Sequence, residues 1–185
     1  LAEFKADPKA ARPAGGGFPS AINAKAAIYQ KNLLAGFSNL FRLAPNFKNT
    51  TTLYSAFAQI KNPAIRNYER RSEPSFGGRT VFSFNKSMKK TGWAFIAGAE
   101  FQQGYFNTQV AKNKNGNPDT LQTNDDINNQ AYSLFTHASL TINNKWHIST
   151  GLSSTRSKLG ITRLSSYPVI KQTRKYKNEL APKLS

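Results

Sequence analysis

Two groups of basic and aromatic side chains carry the strongest chemical signal in this sequence. Arg66, Tyr68, Arg70 and Arg71 form one group, and Arg163 with Tyr167 forms the other. A guanidinium fork pairs bidentately with carboxylate or phosphate, and a phenol ring stacks on a planar partner. Side chains of these types in loops therefore suit an anionic, partly aromatic ligand. The plain alternative is a solvated loop surface.

Other titratable residues are sparse. His137 and His147 are the two histidines. A three-residue turn would make them diagonal neighbours across two strands, but no third ligand lies near in sequence, so no metal is expected. Asp119, Asp125 and Asp126 lack the spacing of a calcium loop. Glu100 is expected beside Arg79 on a neighbouring strand, as a paired carboxylate without a catalytic role. No nucleophile elbow or phosphate loop occurs, and Gly77-Gly78 is too short to cradle phosphate. No enzyme activity and no cofactor are expected.

Extended segments must position these groups. Residues 93–106 show it best. Trp93, Phe95, Ala97, Ala99, Phe101 and Tyr105 share one side, while Gly98, Glu100, Gln102 and Gly104 share the other. A period of two predicts a strand with one apolar and one polar face. The same pattern predicts strands over residues 28–43, 47–60, 76–85, 129–141 and 145–156, with a seventh starting near residue 180. In strand one Leu33, Ala35, Phe37, Phe41 and Leu43 share a face. In strand two Leu53 and Phe57 compete with Tyr54, Ala56, Ala58 and Ile60 for it, which leaves the register open. Residues 1–24, punctuated by Pro8, Pro13, Gly15-Gly16-Gly17 and Pro19, are expected as loop.

Turns at 44–46, 86–92 and 142–144 are short. The intervening stretches 61–75, 108–127 and 159–178 are expected as long loops. Ordinary domains rarely keep structureless loops of that length, whereas transmembrane barrels alternate short turns with long loops. Trp93 and Trp146 follow short turns, and Tyr105 and Tyr132 sit at the opposite strand ends, as in two interfacial girdles. The expected fold is all-β: an antiparallel up-and-down meander, part of a large transmembrane β-barrel, with lipid covering its apolar side.

Composition fits that expectation. The 185 residues are 38% hydrophobic and 12% aromatic, with 13 Phe and one Met. No apolar run is long enough for a membrane-spanning helix. There is no cysteine, which excludes disulfides within the chain. Twenty-six basic residues against 9 acidic give a charge of +17, which suits polyanions such as nucleic acid, lipopolysaccharide or phosphorylated headgroups. The charges are spread over loops and strand ends, which argues against nucleic acid. Two rivals are a soluble basic β-protein that binds nucleic acid through exposed aromatics, and a secreted adhesin-like β-sandwich with two packed sheets.

The stretches Asn67-Tyr68-Glu69-Arg70-Arg71, Phe76-Gly77-Gly78-Arg79-Thr80 and Ala97-Gly98-Ala99-Glu100-Phe101-Gln102 resemble, in that order, the barrel of TonB-dependent outer-membrane receptors. Ser133-Leu134-Phe135-Thr136 and Leu180-Ala181-Pro182-Lys183-Leu184-Ser185 do so as well. The type is that of the iron-complex (siderophore) receptors of Bacteroidota. The resemblance implies a bacterial outer-membrane location and a 22-stranded barrel filled by an N-terminal plug. It implies active uptake of an iron-siderophore or similar nutrient, driven by the TonB complex through an N-terminal box. Residues 1–185 would be a partial barrel of about six strands plus the start of a seventh, without plug or box. Its partners would be outer-membrane lipid and lipopolysaccharide, and the ligand would be met by Arg66, Tyr68, Arg70, Arg71, Arg163 and Tyr167.

Overall fold

In the computed structural model, which describes residues 6–7, 10–143 and 145–185, the chain is one antiparallel sheet. Its strands are β1 (Tyr29–Ala44), β2 (Phe47–Pro63), β3 (Asn67–Ser87), β4 (Thr91–Lys114), β5 (Asn117–Ile142), β6 (Trp146–Arg163), β7 (Ile170–Lys175) and β8 (Glu179–Leu184). Each strand from β1 to β7 pairs with its neighbour in sequence. The short β8 also pairs with β6, over residues 150–155, while β7 pairs with 158–163. Together β7 and β8 make a single broken seventh strand. Among the described residues no helix is long and apolar enough to cross a membrane, which says nothing of a β-barrel.

The register settles the faces, because directly opposed residues in a ladder share one. Leu33 faces Phe57 and Phe37 faces Leu53, so strand two presents its odd positions. The row continues from Leu53 through Gly78, Phe101 and Tyr132 to Arg156. A second row runs from Phe84 through Phe95 and Ala138 to Thr150 and Leu184. Strands β1 to β6 therefore turn most of their large apolar residues to the same side, with Leu34, Leu40, Ile96 and Phe135 among those on the other. The shared side is uncovered: Leu134 is 64% exposed, Trp146 70% and Phe95 46%. Among the described residues the buried apolar positions are only Ala24, Ile60, Tyr68 and Ala111. A soluble domain of this size would bury such a face against a second layer. The adhesin-like sandwich, which needs two packed sheets, does not exist here.

The three expected loops are not loops. β2 and β3 run on to a turn at residues 64–66, β4 and β5 to a turn at 115–116, and β6 to residues 164–169 before β7. At 26 residues β5 extends roughly 85 Å, far beyond a bilayer. The turns are short at both ends, and what differs is how far the strands project. The projecting parts are polar on both faces, so they lack the apolar alternation by which strands show themselves. Asn115-Gly116 was the visible clue. Both have positive φ, 52° and 85°, as a two-residue hairpin turn requires.

Two glycines shape the polar face. Tyr54 lies directly opposite Gly77, and Phe135 directly opposite Gly98. A Cβ on Gly77 would stand 2.5 Å from Tyr54 Cζ, and one on Gly98 would stand 2.5 Å from Phe135 Cζ. Each ring fills the place of a missing side chain, so Gly77 serves packing across the strands.

Candidate functional site

The polar face carries a connected network at mid-sheet. Arg79 and Glu100 are directly opposed, with Arg79 Nη1 3.9 Å from Glu100 Oε2. Tyr54 donates its hydroxyl proton to Glu100 Oε1 at 3.1 Å. The Arg79 guanidinium stands 4.8 Å from the centroid of the Phe135 ring, the same ring that lies over Gly98. Hydroxyl pairs extend the face on either side: Ser38 with Thr52 at 2.9 Å, and Ser133 with Thr155 at 3.0 Å.

The apolar face is not wholly apolar. Asn49, Thr51 and Thr80 cluster on it beside Phe82. Asn49 Nδ2 donates to Thr80 Oγ1 at 2.8 Å, and Thr51 Oγ1 donates to Asn49 Oδ1 at 2.9 Å. Such a closed set of partners is how polar groups persist without water. Trp93 stands opposite Leu140, and Trp146 opposite Ile142. Tyr132 stands between Phe101 and Arg156, and Tyr105 opposite Asn128. All four of these aromatics share the apolar face, the tryptophans toward one set of turns and the tyrosines toward the other.

The arginine-rich groups occupy different hairpins. Arg66 lies in the β2–β3 turn, its guanidinium 4.7 Å from the centroid of the Phe18 ring. Arg70 lies 5.4 Å from the ring centroid of Tyr68, which is only 7% exposed. Arg71 points to the other face between two glutamates on its own strand. Its Nε is 3.3 Å from Glu69 Oε1 and its Nη1 is 3.2 Å from Glu73 Oε1. Arg163 ends β6 and clamps Asp125 with two parallel bonds, Nε to Oδ1 at 2.9 Å and Nη2 to Oδ2 at 3.0 Å. The clamp holds the Asp125 carboxyl below its ordinary range and the Arg163 guanidinium above its own. Tyr167, in the β6–β7 turn, is fully exposed. The two groups thus belong to hairpins separated by β4 and β5, and two of their arginines are already neutralised.

The remaining titratable residues separate as well. His137 stands opposite Gly151 and Thr141 opposite His147. The histidines are thus four residue pairs apart along the ladder, not diagonal neighbours. The last pair is Ile142 with Trp146, one residue later than the sequence suggested, and this shifts every pair. His147 Nδ1 instead meets Thr141 Oγ1 at 3.1 Å. Asp126 Oδ1 accepts from Asn107 Nδ2 at 2.7 Å. Among the described residues no three acidic or histidine side chains converge on a metal position.

Sequence reasoning missed Asn113. Its Nδ2 donates to the carbonyl oxygens of Ala24 and Ala64, at 2.7 and 2.6 Å, and its Oδ1 accepts from the Gly116 N–H at 2.8 Å. One amide thereby ties the segment before β1 to the tips of both the β2–β3 and the β4–β5 hairpins. No local signal marks it, since the partners lie 49 and 89 residues away.

The sequence matches no protein-family model and no curated protein. Solved structures do match. The ferric citrate transporter FecA in its unliganded form superposes with a TM-score of 0.74 at 12% identity, over 85% of this chain and 25% of that one. The siderophore receptor PiuA of Acinetobacter baumannii superposes with a TM-score of 0.65 at 14% identity, over 85% of this chain and 29% of that one. The chain therefore spans between a quarter and a third of the length of these proteins. At such identities the likeness concerns the fold. An antiparallel meander like the part of these two structures that it superposes on is the fold of this chain.

Proposed function

We propose that this chain is part of the barrel wall of a TonB-dependent outer-membrane receptor, taking part in active uptake of an iron-siderophore complex or a similar nutrient. It acts in binding and transport, not as an enzyme. The observation that carries this reading is the bare face of Trp93, Phe95, Phe101, Leu134 and Trp146, uncovered by any protein layer and backed by a hydrogen-bonded polar face. Hydrocarbon chains are the partner that such a face suits. The polar face then lines the lumen, and a plug and the TonB contact come from polypeptide outside residues 1–185. The Bacteroidota type rests on the resemblance of the quoted motifs.

Within this reading the ladder ends bearing Trp93 and Trp146 lie at the periplasmic interface, and the projecting hairpins stand outside the cell. Trp93, Tyr105, Tyr132 and Trp146 form the girdles. The ligand meets the hairpin tips through Arg66, Tyr68, Arg70, Arg71, Arg163 and Tyr167. Arg66 and Arg70 are the first contacts for an anionic chelate, because no carboxylate within the described structure pairs with them. Arg71 and Arg163 must exchange a glutamate or aspartate for the ligand.

The test is direct. In the complete polypeptide placed in bilayers containing brominated lipid, Trp93 and Trp146 fluorescence is quenched by shallow bromines. Unquenched tryptophans, or recovery of the protein in the soluble fraction, overturn the assignment. Loss of growth on a ferric siderophore after gene deletion tests uptake, and unchanged growth on every ferric chelate offered removes iron as the cargo.

A further inference from the structure

Asn115-Gly116 is the only Asn-Gly step in the sequence. It forms the tip of the β4–β5 hairpin, where Asn115 is exposed and both residues hold positive φ, 52° and 85°. Asparagine followed by glycine is chemically unstable. No side chain shields the glycine nitrogen, so it can attack the asparagine Cγ and close a cyclic imide. At this tip the attack is restrained. The Gly116 N–H donates to Asn113 Oδ1 at 2.8 Å, so the proton that must leave is held. The left-handed turn, closed by the Lys114–Asn117 pair, fixes the peptide plane between the reacting groups. Attack therefore waits on local opening of the tip. The same Asn113 latches the segment before β1. Its Nδ2 donates to the Ala24 and Ala64 carbonyls at 2.7 and 2.6 Å, and its backbone N–H donates to the Arg66 carbonyl at 3.0 Å. Ala24 is only 1% exposed. Lys25 packs so closely on Gly116 that a Cβ there would stand 2.8 Å from Lys25 Cβ. Turn, latch and preceding segment thus share one side chain.

We propose that Asn115 is a self-modification site which Asn113 guards and which, once converted, releases the segment before β1. When the tip opens, Gly116 N bonds to Asn115 Cγ and the Cγ–Nδ2 bond breaks. The amide nitrogen leaves as ammonia, taking up the proton that Gly116 N gives up. Water then opens the imide at either carbonyl and leaves aspartate or isoaspartate. No oxidant or other reactant is required. Isoaspartate carries the former side-chain methylene in the main chain, one atom more than a two-residue turn holds. The Gly116 N–H is then drawn away from Asn113 Oδ1. The Asn113 amide loses the anchor that aims it at Ala24, and the preceding segment comes free of the hairpin tips.

The test ages the complete polypeptide in detergent micelles at mildly alkaline pH, digests it in acid and weighs the peptide that holds Asn115. Electron-transfer fragmentation separates isoaspartate from aspartate. In the wild type, conversion is at least about tenfold slower in the folded protein than in urea, because only the opened tip reacts. Asn113→Ala speeds conversion of the folded protein by about tenfold, as expected for the loss of one hydrogen bond. Hydrogen exchange over residues 24–27 quickens as isoaspartate accumulates. Asn115→Gly keeps the left-handed turn, shows no mass gain at the tip and holds that exchange steady through the same ageing. Equal rates in folded and urea-unfolded wild type overturn the guard, as do equal rates in wild type and Asn113→Ala. A converted tip with unaltered exchange over residues 24–27 overturns the release, and a tip that stays unconverted even in urea overturns the site itself.

Discussion

The meander has two halves built from one ladder. Near the turns at 44–47, 87–91 and 142–146, one face is aromatic and the other carries hydroxyls and the Tyr54–Glu100–Arg79 network. In the projecting hairpins both faces are polar, and charges meet their partners: Arg71 with Glu69 and Glu73, Arg163 with Asp125. The backbone bonding is the same in both halves, so the ladder itself is indifferent to its surroundings. What changes is the solvent each face is written for. The first half is apolar on one side and polar on the other, and the second is polar on both.

The sharpest way to break this contrast is to place the same charge in each half. Ala97→Arg, in the aromatic half, is expected to cost about 2–4 kcal/mol of stability in vesicles. Thr123→Arg, on the β4–β5 hairpin, is expected to shift stability by less than about 0.5 kcal/mol. Urea unfolding in lipid vesicles reads both, and equal costs would erase the distinction. Next in size is Gly77→Ala. The new methyl group would collide with the Tyr54 ring, at an expected cost of about 1–3 kcal/mol. Combining it with Tyr54→Ala recovers part of that loss, and a cycle showing strict additivity would deny the packing.

The hairpin half depends on a different kind of contact. Asn113→Ala leaves the Gly116 N–H and the Ala24 and Ala64 carbonyls without their side-chain partner. The expected cost is about 1–2 kcal/mol. Hydrogen exchange should quicken at Gly116 while amides in the aromatic half stay protected. Uniform quickening would mean that the halves unfold as one. The smallest effect is electrostatic. The hydrogen bonds from Arg163 hold the Asp125 carboxyl below the ordinary aspartate value. The clamp therefore contributes fully above that value and is lost as pH falls through the lowered one. In Arg163→Gln the carboxyl should titrate higher, toward the ordinary aspartate value, as followed by carbon NMR. An unmoved titration would show the clamp to be irrelevant.

The alternation around Trp93 to Phe101 was enough to place strands, faces and short turns, because a buried or lipid-facing side must repeat every second residue. The same cue failed over residues 61–75, 108–127 and 159–178. Strands with water on both faces carry no apolar rhythm, and there only Asn115-Gly116 betrayed a hairpin. The Arg79–Glu100 pair was legible from facing positions on adjacent strands. The histidine pairing was not, because a turn displaced by one residue moves every later partner.

The order of residues therefore determined the all-β architecture, the single apolar side and the absence of any membrane-crossing helix. Tertiary structure decided which side chains meet. Asn113 found carbonyls 49 and 89 residues away, Arg71 and Arg163 were claimed by carboxylates, and Lys158 came to face Lys175. Periodicity is a local property that each strand carries alone, whereas register is shared between strands and exists only once they pair.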